Sequence, residues 1–215
     1  NDQYLPLEEA RISPLDRGFL FGDGIYEVIP SYDGKMVGFG PHIDRMQQGL
    51  DLIGIKLDWD HSQWQQLCEK LIEQNGSGNL GIYLHVSRGA DTKRFHAYPE
   101  GVQPTIFAYA FEIPAANVPD KSKVKGYAVS STEDLRWQRC NIKSTALLGN
   151  VMHYQHGHAA GCDETLLFNA DNHLNAGNTF PTSSSYTKAA WVRLTDGGGN
   201  NILSGSSNSA GHALW

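Results

Sequence analysis

Cysteine is scarce in this 215-residue chain: Cys68, Cys140 and Cys162, an odd number with no Cys-x-x-Cys spacing. That pattern argues against a disulfide framework and fits a reducing compartment, so a cytoplasmic location is expected. Positive charge is also short. Lys and Arg number 17 against 23 Asp and Glu, a net charge of −6. No cationic excess exists to neutralise phosphates, which excludes nucleic acid as the main partner. Mean hydropathy is −0.40, and no stretch approaches the ~20 apolar residues of a membrane span. The first residues, NDQYLPLEEARISPLDRG, combine no basic patch with an apolar run, so no secretory signal is expected. Several chemical signatures are missing: the phosphate loop ending GKS or GKT, the GxSxG elbow, HExxH and the kinase set. GDG within FGDGIYEV (21–28) cradles no phosphate and instead turns the chain into a strand.

What is present reads as mixed α/β. IYEVIPSYDGKMVGF (25–39) places Asp33-Gly34 between apolar runs, a hairpin signal. The period then changes. Ile43, Met46, Leu50 and Ile53 share one helical face over 41–55, with Pro41 suited to the first turn and Gly54 to the end. A second helix is expected over 61–74, with Trp64, Leu67, Leu71 and Ile72 inward. Residues 81–89 and 104–114 read as strands around a long polar loop. PAANVPDKSK (114–123) is the linker candidate, separating a small α/β domain (1–113) from a larger one (124–215). In the second domain 124–130 and 164–169 read as strands and 144–161 as a helix. From 177 on, Gly, Ser, Asn and Thr dominate and charge is sparse, so loops or incomplete order are expected.

Lys143 is the first candidate for chemistry. It lies in RWQRCNIKSTALLGN (136–150), just before the expected helix, which Ser144 would cap. A helix N-terminus and desolvation would both favour the neutral, nucleophilic amine. The bland alternative is a solvated surface lysine. Arg45, in PHIDRM, is either an anion clamp, matching phosphate or carboxylate with its fork, or a surface arginine paired with Asp44 or a nearby carboxylate. Arg94 and His96 lie in the loop SRGADTKRFHAYPE (87–100), where an Arg, a His and a Tyr would together hold a carboxylate; a solvated basic loop is the alternative. Tyr26 and Val28 share one face of their strand, with Glu27 opposite. His153, His156 and His158 form HxxHxH, but no Cys or spaced carboxylate completes a tetrahedron, and no metal is expected.

Four of these segments, in order, carry a resemblance: LDRGFLFGDGIYEV, PHIDRM, SRGADTKRFHAYP and EDLRWQRCNIKSTALLGN. Together they resemble the fold type IV pyridoxal-phosphate aminotransferases, closest to the D-amino-acid aminotransferase branch, over residues 10–170. The resemblance implies a two-domain α/β architecture with the cofactor between the domains. It implies transamination between a D-amino acid, such as D-alanine, and a 2-oxo acid, 2-oxoglutarate or pyruvate. Lys143 would form a Schiff base with pyridoxal 5′-phosphate and move the substrate α-proton. Arg45 would bind the cofactor phosphate. Tyr26, Val28, Arg94 and His96 would form the substrate site, the loop pair coming from the partner subunit of a homodimer.

The same resemblance exposes departures. The family places a glutamate against the pyridine nitrogen on the strand after ETLLF, where this chain has Asn175. ILSGSSNSA (202–210) reads as an altered version of the family's phosphate-binding glycine turn, with Ser206 and Ser207 as ligands and Leu203 against the cofactor ring. The larger domain is expected to be incomplete. Three alternatives stand beside transamination of D-amino acids: a branched-chain L-aminotransferase or (R)-amine transaminase of the same fold, a non-catalytic pyridoxal-phosphate-binding relative, and a His-rich metal-binding protein.

Overall fold

The computed structural model describes residues 3–76, 78–116, 120, 122 and 126–168. The chain divides into two compact units. The first comprises Asn1–Lys121 together with Ile142–Leu147, the second Ser122–Asn141 together with Leu148–Trp215.

In the first unit a short helix, α1 (Arg17–Phe21), leads into β1 (Gly24–Tyr32). β2 (Lys35–Met36), α2 (Phe39–Leu52) and α3 (His61–Asn75) follow, then β3 (Leu80–Ser87) and β4 (Thr105–Glu112). The four strands make an antiparallel sheet in the order β2-β1-β3-β4. Asp33 and Gly34 join β1 to β2, both at positive φ (48° and 77°), as a tight hairpin turn requires. α3 starts from a capping box in which Asp60 and Gln63 satisfy each other's backbone N–H. α2 begins two residues before the expected Pro41, after Gly38, which sits at φ 67° and gives no side-chain cap.

One face of the sheet meets α2 and α3. Ile25 and Ile29 of β1 pack there with Ile82, Met46, Leu50 and Trp64, all buried. Cys68, not expected inward, joins this core, and burial pushes its thiol up to about 12. Leu67 is only partly buried against it. The alternation of β1 puts Tyr26 and Val28 on the other face and Glu27 on the core face, as expected. Pro30, in mid-strand, breaks no bond to β3. Its carbonyl accepts from Val37 on the opposite edge, the direction in which its missing N–H would point.

The second unit contains β5 (Val129–Glu133), α4 (Leu148–Ala159) and β6 (Glu164–Phe168), the strands paired in parallel. A parallel pair needs a crossover, which α4 supplies. α4 can lie against the strands only because residue 157 is glycine: a Cβ there would collide with Thr165 Oγ1.

Two expectations require correction. The strand expected over 124–130 forms at Val129–Glu133, where it pairs with β6. The helix expected from Ser144 starts at Leu148. Ser144 caps nothing; it is buried in a β-bridge with Ile25. The sheet edge offers this segment hydrogen-bond partners, and it takes them as extended chain. The helix-dipole argument for Lys143 therefore falls.

Candidate active site

β1 has one edge on β3. β2 occupies the far end of its other edge, leaving the backbone of Gly24–Tyr26 open. The segment Ile142–Leu147 closes it. The Tyr26 N–H donates to the Lys143 carbonyl at 3.1 Å, and the Thr145 N–H donates to the Gly24 carbonyl at 3.0 Å. This antiparallel register sets Lys143 beside Tyr26 and on the same sheet face. The half-buried Lys143 Nζ sits 4.2 Å from the Tyr26 ring centroid. A cation over a phenol face is attracted by the ring quadrupole. Lys143 has no carboxylate partner among the described residues. An amine so placed, in an apolar aromatic setting without an acid to neutralise it, is available to a ligand.

Behind the strand stands Arg45. Glu27 is wholly buried and takes Arg45 through both its oxygens: Nε to Oε1 at 2.5 Å and an Nη to Oε2 at 2.7 Å. His42 Nδ1 lies 2.8 Å from Oε2. Burial by itself would raise the Glu27 carboxyl; the hydrogen bonds and charges of Arg45 and His42 more than offset this and hold it below the ordinary range. Glu27 in turn raises Arg45. Arg45 is thus paired with a carboxylate, as one reading of the sequence anticipated, but with Glu27 and not Asp44, which pairs with His61. Pairing by one edge leaves the other guanidinium nitrogen for an anion.

Arg94 and His96 gather elsewhere. Both are exposed and flank Phe21 of α1, at 5.3 Å in each case between guanidinium carbon or imidazole centroid and the ring centroid. Sequence reading missed what anchors their loop. Arg17 Nε and Arg88 Nε both donate to Asp23 Oδ2 at 2.8 Å, and an Arg88 Nη reaches Oδ1 at 2.9 Å. Arg17 also donates to the Phe95 and His96 carbonyls, Arg88 to those of Ile53 and Gly54. Arg88 stacks on Tyr98 at 3.6 Å. Desolvation works against the Asp23 carboxylate, but Arg88 and Arg17 hold its pKa below the ordinary value. The signal available in the sequence was an aspartate just before one expected strand and an arginine near the end of another, Asp23 and Arg88.

His153 accepts from the Leu135 N–H, and His158 stacks on Tyr154; no group of three metal-ligating side chains forms among the described residues. No described helix is long and apolar enough to cross a membrane. Asn175, Leu203, Ser206 and Ser207 lie outside the described residues.

The antiparallel sheet with two helices on one face defines the fold, and comparison with known proteins gives its family. The amino-transferase class IV family profile matches residues 24–180, and the chain belongs to that family. Its members depend on pyridoxal phosphate. The chain is 38% identical over 153 residues to the D-alanine aminotransferase of Staphylococcus epidermidis, covering 71% of this chain and 53% of that protein. It is 33% identical over 169 residues to the D-alanine aminotransferase of Listeria monocytogenes, covering 78% and 57%. The chain thus spans somewhat over half the length of these relatives. The branched-chain aminotransferase from the thermophilic archaeon Thermoproteus uzoniensis, solved with norvaline, matches in fold with a TM-score of 0.65, at 19% identity, over 77% of this chain and 57% of that one.

The described residues fit pyridoxal phosphate by the chemistry of their donors. An amine without an acid partner suits the aldehyde, and a guanidinium with a free edge suits the phosphate.

Proposed function

We propose that this chain carries the lysine-bearing part of an aminotransferase that exchanges the amino group between a D-amino acid and a 2-oxo acid, with pyridoxal phosphate as cofactor. The observation that carries the reading is the Lys143 amine, held over Tyr26 by pairing with β1 and answered by no carboxylate among the described residues. Pyridoxal phosphate, when bound, supplies an electron sink for the carbanion left by loss of the substrate α-proton. The chain supplies the rest. Lys143 Nζ would hold the cofactor and, once the substrate amine displaces it, would move the proton on one face from the substrate α-carbon to the cofactor carbon that bore the aldehyde. Arg45, fixed by Glu27, holds the phosphate. Tyr26 and Val28 bound the substrate side of the sheet face.

The chain acts as a homodimer in this reading. Within one copy Arg94 and His96 gather on Phe21 while Tyr26 stands with Lys143, an arrangement that suits presentation of the loop to a partner's substrate carboxylate. The D preference rests on the resemblance to the D-alanine aminotransferases. A cytoplasmic setting rests on three free cysteines.

The test is optical. Protein incubated with pyridoxal phosphate is expected to turn yellow, and borohydride to fix the cofactor to Lys143. D-Alanine without an oxo acid should bleach the colour, and L-alanine should not. No fixation on Lys143, or equal bleaching by both enantiomers, refutes the reading.

A further inference from the structure

The sheet face that carries Tyr26 and Lys143 continues across β3 into a cavity of about 710 Å³. Tyr83, His85, Ser87, Phe107, Tyr109 and Asp16 are among its lining. Its chemistry is uneven. The walls are mostly aromatic and hydroxylic, but Asp16, 2% exposed, contributes an oxygen, Oδ2, with no hydrogen-bond partner. The other oxygen, Oδ1, accepts from the Gly18 N–H to cap α1. Near it is His85: a Cβ added to Gly18 would lie 3.0 Å from Asp16 Oδ1 and 3.2 Å from His85 Nε2, so both polar groups border the same bare glycine. A Cβ on a second glycine, Gly24, would lie 3.3 Å from the same Nε2.

At its other nitrogen His85 meets a hydroxyl. Nδ1 lies 3.2 Å from the Tyr83 hydroxyl oxygen. The Tyr83 ring stacks on that of Tyr26, with centroids 5.8 Å apart and planes 25° apart. Lys143 Nζ rests on Tyr26. A chain of contacts therefore runs Asp16, His85, Tyr83, Tyr26, Lys143. A proton on Nε2, which borders the glycine it shares with Asp16, would leave the lone pair on Nδ1 to accept from the Tyr83 O–H. The charge states fit: burial drives His85 below its ordinary value, against the opposing pull of Asp16, and Tyr83 is pushed up to about 12 by burial, so a neutral imidazole meets a neutral phenol.

We propose that His85 is a positioning residue for the Lys143 amine: with Nε2 protonated, it accepts the Tyr83 hydroxyl proton at Nδ1 and fixes the Tyr83 ring behind Tyr26. The significance for catalysis rests on the reading of Lys143 as the reacting amine, but the positioning itself does not.

The test separates the two. Cofactor-free protein is labelled with trace acetic anhydride, and Lys143 acetylation is measured by peptide mass spectrometry against Lys35 and Lys70 in the same sample. His85→Phe keeps the ring and loses the acceptor; the freed amine should label at least threefold faster. Tyr83→Phe should give the same rise, and the double variant no further one. His85→Gln, whose amide can still accept from the tyrosine, should stay within about 1.5-fold of the parent. Nitrogen NMR of His85 should show the Nε2-protonated tautomer. Unchanged labelling in His85→Phe, additive effects in the double variant, failure of His85→Gln to restore the parent rate, or an Nδ1-protonated imidazole would each overturn the proposal. Borohydride fixation of pyridoxal phosphate is run in parallel: its absence refutes the aminotransferase reading and leaves the labelling result to decide on His85.

Discussion

Replacing Asp23 with Asn tests the buried triad that fixes the loop bearing Arg94 and His96. Asp23 sits between Arg17 and Arg88, whose side chains are only 4% and 8% exposed. Asn has nearly the same shape, so the change removes charge and little volume. Two guanidiniums then stay buried without an anion. Breaking a buried pair by removing one partner costs about 3–5 kcal/mol. Both arginines keep backbone acceptors, Phe95 and His96 for Arg17, Ile53 and Gly54 for Arg88. The lower end, about 3 kcal/mol, is therefore expected. For a unit of this size that lowers the melting temperature by ~10 °C. Urea unfolding followed by tryptophan fluorescence is a suitable assay, since the buried Trp64 reports on the first unit. Asp33→Asn, in the exposed hairpin turn, is the control and should change stability by under ~0.5 kcal/mol. The triad also makes a local prediction. Trypsin should cut at the exposed Lys93 and Arg94 faster in Asp23→Asn than in the parent. A loss of stability under about 1 kcal/mol together with unchanged cleavage would refute the claim that Asp23 holds the loop.

Two further outcomes follow from the same structure. Asp23 and Glu27 are both held below their ordinary values, 3.8 and 4.5, so the native state binds fewer protons than the unfolded chain as the pH drops. Their stabilisation is present above those ordinary values and is lost as the pH falls through the lowered native ones; equilibrium unfolding between about pH 6 and pH 2, compared with Asp23→Asn, should show a shallower acid loss in the variant. Gly89 adopts φ 101°, and a Cβ there would collide with the Gln103 carbonyl oxygen; Gly89→Ala should cost roughly 3 kcal/mol in the same urea assay, and a neutral result would show that the loop backbone yields.

Local signals carried much of the fold. The Asp33-Gly34 turn, the apolar spacing in α2 and the face of α3 all follow from periodicity and turn chemistry within a few residues, and each forms close to where it is expected. The errors arise where distant chain decides. Ser144 has the residue type of a helix cap, but its backbone is claimed by a strand far upstream. β5 is set by pairing with β6, not by its own propensity. The site divides in the same way. Lys143, Arg45 and Tyr26 are visible as motif residues. Glu27 is visible only as an acid on a strand, and nothing local says that it is fully buried or that Arg45 reaches it from α2. His85 is invisible in the sequence, because its role depends on Asp16 and Tyr83 arriving from two other places.

The seam between β1 and the lysine segment joins Gly24 to Thr145, 121 residues apart. A contact of that separation closes a long loop, and such contacts form late and slowly. A chain emerging from the ribosome can therefore complete the four strands and two longer helices of the first unit before the lysine segment has emerged. The candidate amine is then set in place by the last stitch in an existing sheet. Capture of pyridoxal phosphate on Lys143 would report that this final closure has taken place, a clock for folding as well as a step in chemistry.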